Sequence, residues 1–150
     1  MKSIVIYESV HHNNTEKVAK VIADEIDAEL VNVRKFDELG KNLEDYDLVG
    51  FGSGIFFSKV HKNIRKFLDN IDGMNNQKTF IFTTSGRGTT GLDKKFNEIL
   101  SAKGFDVIAE FACKGFDTFL PFKLVGGLNK GQPNEEDLAN AKSFAKSLLD

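Results

Sequence analysis

Between Glu8 and Glu16 the chain reads Glu-Ser-Val-His-His-Asn-Asn-Thr-Glu, a run of hydroxyls, amides and imidazoles with no Lys or Arg. Ser9, His11, His12, Asn13, Asn14 and Thr15 are therefore hydrogen-bond donors without countercharge. Placed between a strand and a helix N-terminus, such donors join the unpaired first-turn N–H groups and the positive end of the helix dipole. That combination seats a phosphate. The plainer reading is that Ser9, Asn13 and Thr15 cap a helix and close a turn; both readings stand at this point. Asn13 followed three residues later by Glu16 resembles a capping box, which starts the helix near Asn14.

Two other stretches carry polar or ring chemistry. Gly52-Ser53-Gly54-Ile55-Phe56-Phe57 puts two glycines before three large apolar residues. Glycine lets backbone approach a flat ligand, and an apolar trio at a loop tip is costly unless a planar cofactor or the following helix covers it. Ser85-Gly86-Arg87-Gly88-Thr89-Thr90-Gly91 contains G-x-G-x-x-G. A dinucleotide fingerprint belongs on the first strand–helix unit, however, and here it follows the fourth strand. Asp106, at the right distance for a ribose, would begin the next strand instead of ending it. His11, His12 and His61 make a weak metal set, since adjacent histidines in a loop point apart; one of the pair donating to a phosphate suits them better. Cys113 excludes an internal disulfide and reads as a small buried hydrophobe.

The elements that must position these stretches follow from periodicity. Ile4–Tyr7 is a short apolar run typical of a strand covered on both faces. Val18, Ile22 and Ile26, with Ala19 and Ala23, form the stripe of the first helix. Glu29–Val33, Leu48–Phe51, Thr79–Thr84 and Val107–Cys113 read as four more strands. Phe36–Leu43 is polar, with a helical turn or two. Val60, Ile64, Phe67, Leu68 and Ile71 predict a second full helix, and Leu92, Phe96, Ile99 and Leu100 a third, closed by Gly104. Asn134 with Asp137 starts a last helix, after a long irregular stretch from Lys114 to Pro133. Strands alternating with helices predict one α/β domain: a doubly wound, five-stranded parallel sheet of order 2-1-3-4-5 with helices on both faces. The segments after strands 1, 3 and 4 then meet at the C-terminal edge of the sheet.

Composition narrows the function classes. The 150 residues suit a single domain with a full core, and a formal net charge of −2 shows no nucleic-acid footprint. Nothing approaches the ~18 apolar residues of a membrane span, nor resembles a signal peptide, so a cytoplasmic location is the expectation.

Taken together, Ile4–Tyr7 with Ser9 to Glu16, Gly52–Phe57 and Thr84–Gly88 resemble the flavodoxin family over nearly the whole chain. The family's S-x-T-G-N-T-E is echoed by Ser9 and by Asn14-Thr15-Glu16. The Val-His-His-Asn between them is one residue longer and lacks the glycine. The resemblance implies FMN, with its phosphate held by Ser9, His12, Asn14 and Thr15. Ser53, Gly54, Ile55 and Phe56 would line one side of the ring, and Ser85, Gly86 and Gly88 the other, with His11, Asn13, Phe57 and Arg87 nearby. No Trp exists in the chain; Phe56 or Phe57 would replace the family's ring-stacking Trp, and Phe116 its Tyr. A lysine or arginine beside the ring, Lys59 or Arg87, would favour anionic reduced flavin and make the protein a weaker reductant than a typical flavodoxin. The implied function is a monomeric electron carrier between transient redox partner proteins. The alternative is a flavin enzyme of the same fold, a quinone reductase or a protoporphyrinogen oxidase, which Gly52–Leu68 faintly resembles. Lys114–Pro133 would then form a substrate pocket, or merely cover the fifth strand.

Overall fold

In the computed structural model, the described residues are 1–10, 13–71, 73–115 and 129–150. His11, His12, Phe116 and most of the Lys114–Pro133 stretch lie outside them. The chain runs β1 (Ser3–Glu8), α1 (Asn14–Ile26), β2 (Glu29–Asn32), β3 (Leu48–Phe56), β4 (Lys59–Val60), α2 (Lys62–Asp69), β5 (Gln77–Ser85), α3 (Lys94–Ala102), β6 (Phe105–Lys114) and α4 (Glu135–Ser147). Three short 3-10 turns between β2 and β3 stand where a doubly wound fold often has a helix. Five strands pair in parallel in the order β2-β1-β3-β5-β6, and the two-residue β4 pairs antiparallel with β3. This is the expected 2-1-3-4-5 order with one short strand added.

The β1 sequence shows why the sheet is covered twice. Successive side chains point to opposite faces. Ile4 and Ile6 join one core with Phe51, Ile64, Leu68, Phe96 and Leu100, beneath α2 and α3. Val5 and Tyr7 join the other with Phe80, Phe82, Val18, Ile22 and Ala141, beneath α1 and α4. Burial of each large side chain of this kind contributes about 1.5–3 kcal/mol. Phenylalanines pair on both faces, with Phe51 edge-on to Phe105 on one and Phe80 edge-on to Phe144 on the other.

Three local expectations change. Asn13 precedes α1 as its cap residue, but in left-handed backbone and with no side-chain cap bond; Ser9 Oγ accepts the Glu16 N–H instead. The Asn13–Glu16 capping box is therefore absent, whereas the Asn134–Asp137 box forms in full. Gly52–Ile55 is not a loop: β3 continues through Phe56 and turns back at Phe57 and Ser58. Val60 belongs to β4, so the helix predicted from Val60 starts at Lys62.

Candidate functional site

The parallel register brings the three polar segments together. Glu8 of β1 lies opposite Ser53 of β3, Gly54 of β3 opposite Thr84 of β5, and Ser85 of β5 opposite Lys114 of β6. All are at the C-terminal edge, where strand order reverses between β1 and β3. Ligands of doubly wound sheets bind at such a switch point.

The first segment is locked to the third by hydroxyls. Thr15 Oγ1 and Thr84 Oγ1 are 2.9 Å apart and buried, one at the start of α1 and the other at the end of β5. Asn14, also buried, packs its side-chain amide onto Gly115, where a Cβ would fall 2.6 Å from Asn14 Nδ2. Ser9 Oγ accepts from Glu16 N at 3.2 Å, which leaves its O–H able to donate. Tyr7 donates to Glu16 Oε1, and burial, reinforced by the Glu16 charge, raises its pKa.

Glu8 is a site-edge residue that sequence reasoning did not single out. Its carboxylate is fully buried at the end of β1. It accepts from Ser9 N at 3.0 Å, Arg34 Nε at 2.9 Å and Asn63 Nδ2 at 2.6 Å. These partners come from the residue that follows β1, the turn after β2, and α2. The carboxylate is thereby paired with the Arg34 guanidinium and hydrogen-bonded at both oxygens.

The second segment is a hairpin. Ser53 is buried and its hydroxyl is used twice, donating to Gly54 O and accepting from His61 N. It fixes the hairpin from within. Gly52 also serves packing: its hypothetical Cβ would lie 2.0 Å from the Phe82 ring, so its missing side chain makes room for Phe82 and not for a ligand. Ile55 packs onto the core beneath α2 and α3, as expected of at least one member of the apolar trio. Phe56 lies edge-on to His61, and Phe57 is 82% exposed. His61 caps α2, its Nδ1 accepting from Asn63 N.

The third segment is a tight turn. Ser85 Oγ accepts from Gly88 N, and Ser85 O accepts from Gly115 N. Gly88 has φ +68 and lies against Lys114, so both backbone sign and space call for glycine there. Gly86 O accepts from Asn129 Nδ2, which ties the described end of the long stretch to this turn. Arg87 is exposed. Gly91 N donates to Glu110 on β6, and Asp106 sits at the opposite, N-terminal end of β6. The G-x-G-x-x-G stretch thus lacks the geometry of a dinucleotide fingerprint.

Elsewhere, Asp93 bonds Val60 N, Phe96 N and Arg65, joining the hairpin to α3. Burial, with a smaller effect of Asp137, pushes the Cys113 thiol up to about 12 and leaves it inert near neutral pH. A groove of about 670 Å³ runs between the 3-10 turns and α2, but none of the candidate residues lines it. Among the described residues there is no cluster able to hold a metal, and no helix long and apolar enough to cross a membrane.

A five-stranded parallel sheet of this order, with three polar segments meeting at its switch point, defines the flavodoxin-like class. The family model of the flavodoxin domain matches residues 4–115. The chain belongs to the flavodoxin family. It is 50% identical to the uncharacterized protein MJ0298 of Methanocaldococcus jannaschii, with 99% of each chain covered. It is 26% identical to the flavodoxin-like domain-containing protein BilS of Clostridioides difficile, over 99% of this chain and 97% of that one. Among solved structures, Flavodoxin 1 of Bacillus cereus superposes with a TM-score of 0.70 at 19% identity, covering 99% of this chain and 97% of that chain. That last likeness is one of fold.

Proposed function

We propose that the protein binds FMN at the C-terminal edge and carries electrons between partner proteins. The observation that most supports this is the buried Thr15–Thr84 hydroxyl pair. It joins the α1 N-terminus to the end of β5, holding a candidate phosphate seat and a candidate ring seat in one frame.

The donor chemistry fits a phosphate: the Ser9 hydroxyl, the first-turn N–H groups of α1, and a neighbouring carboxylate, Glu8, already paired with Arg34. His12 and Asn14 are the further phosphate ligands in this reading. The Ile55–Phe57 side of the hairpin and the Ser85–Gly88 turn would flank the ring. Bound FMN supplies one- or two-electron redox chemistry. The chain's own residues bind it, orient it and set the charge around it. Lys59 and Arg87, both exposed at the two flanking segments, bring positive charge to this edge, which raises the potential of a flavin there.

The absorption spectrum of purified protein during stepwise reduction tests this reading. A flavin spectrum at one FMN per chain, with no turnover of NADH, NADPH or quinones in the absence of a partner protein, is the expected result. A colourless protein that takes up no FMN overturns it. Turnover of a quinone without a partner would replace the carrier by an enzyme.

A further inference from the structure

From Leu48 to Leu68 the chain carries four of its 20 basic residues and none of its 22 acidic ones. Those four, Lys59, Lys62, Arg65 and Lys66, lie on β4 and α2. Arg65 is held by Asp93. Lys59 and Lys62 are exposed and form no ion pair among the described residues. Lys62 is the first residue of α2, whose first turn carries no acid. A cation there opposes the helix dipole, so helix stability does not account for it.

The cations surround apolar surface. Val10, Phe56, Val60 and His61, with Lys59, Lys62 and Arg65, line a hollow of about 360 Å³. Beside it, Phe57 and Ser58 form the hairpin tip, at φ 52 and φ 62. Left-handed backbone is unfavourable for a bulky residue and persists where surrounding structure or function demands it. Phe57 is 82% exposed beside a hollow lined by Lys59, Lys62 and Arg65.

We propose that the β3–β4 hairpin and the first turns of α2 form a docking surface for an acidic protein, which seats one apolar side chain in the hollow between flanking carboxylates. Charge complementarity selects the partner: a chain of net charge −2 repels acidic proteins at long range but presents a locally cationic face. This inference deepens the carrier reading and rests on it for its purpose, because docking there brings the partner's redox centre beside the Phe56–Phe57 side of the flavin seat.

A synthetic peptide with one central Trp and two Glu on either side probes the surface, on both apo and FMN-loaded protein. The chain has no Trp of its own, so peptide fluorescence anisotropy reports binding cleanly. The expected result is binding that weakens on the order of tenfold from about 0.01 M to about 1 M salt, as the screening length shrinks from about 30 Å to about 3 Å. Lys59→Glu/Lys62→Glu should abolish it, and Lys59→Gln/Lys62→Gln should weaken it, both with unchanged far-ultraviolet circular dichroism. Absence of binding at low salt, equal binding of a Gln-for-Glu peptide, or indifference to charge reversal overturns the proposal. So does tighter binding to phosphatidylserine vesicles, which would assign the face to a membrane surface. Failure to bind FMN defeats the carrier reading alone, since the peptide titration reads out without flavin.

Discussion

The first loop and the β3–β4 hairpin sit side by side at one sheet edge and are built on opposite principles. The loop after β1 holds no Lys or Arg between Glu8 and Glu16, and its described polar groups are drawn inward: Thr15 to Thr84, Asn14 against Gly115, Ser9 to Glu16. The hairpin turns outward, with Phe57 exposed in left-handed backbone and Lys59 beside it. One region suits holding a small ligand by hydrogen bonds, with little dependence on salt. The other is the proposed docking surface, where charge and exposed apolar area would set the encounter rate. In the proposed reading, the same edge separates retention from recognition.

The largest expected effect tests the frame that the two regions share. Gly52→Ala forces a Cβ into the Phe82 ring and should cost about 3 kcal/mol in chemical denaturation. Combining it with Phe82→Leu should restore part of that loss. Next, Thr15→Val leaves the Thr84 hydroxyl buried without its partner. It should cost about 1–2 kcal/mol, whereas Thr15→Val/Thr84→Val should be milder, because both polar groups are then gone. If the single and double variants are equally destabilised, the hydroxyl pair is not the clasp between α1 and β5.

Substitutions in the hairpin should move stability the other way. Phe57→Asn/Ser58→Gly installs the residues that two successive positive-φ positions favour. It should stabilise by about 1 kcal/mol, a rise of roughly 2–4 °C in Tm, while weakening the acidic peptide. Lys62→Glu should add a few tenths of a kcal/mol by matching the α2 dipole, again at the expense of peptide binding. A loss of stability in either variant would mean that the tip and the helix start are optimised for folding.

The smallest effect belongs to the core as a control. The folded Cys113 thiol is raised from 9.0 to about 12 by burial. Its contribution is complete below pH 9 and is lost as pH rises towards 12, because the unfolded thiol ionises first. Cys113→Ala should remove that component of alkaline unfolding, and thiol reagents at pH 8 should react with native protein far more slowly than with the unfolded chain.

Much of this architecture was legible in the residues themselves. The apolar run Ile4–Tyr7, the i, i+4 stripe Val18–Ile22–Ile26 and the alternation of strands with helices determined a parallel sheet covered on both faces. Five strands in that alternation fit the doubly wound order, and so the edge where the polar segments meet. Local pattern suffices for such features because burial depends on period, and period is written in sequence. The Asn134–Asp137 capping box was legible for the same reason, its two partners being three residues apart.

Tertiary structure alone decided the rest. Asn13 and Glu16 have capping-box spacing, yet Asn13 sits in left-handed backbone without a side-chain cap bond and Ser9 takes the Glu16 N–H. Glu8 looks like an ordinary charge at a strand end until Arg34 and Asn63, 26 and 55 residues away, converge on its carboxylate. In sequence, Gly52 reads as room for a ligand, but its space belongs to Phe82 on the next strand. Each of these outcomes depends on atoms distant in sequence and adjacent only after folding, where excluded volume and buried polar pairing choose among alternatives that the local pattern leaves equal.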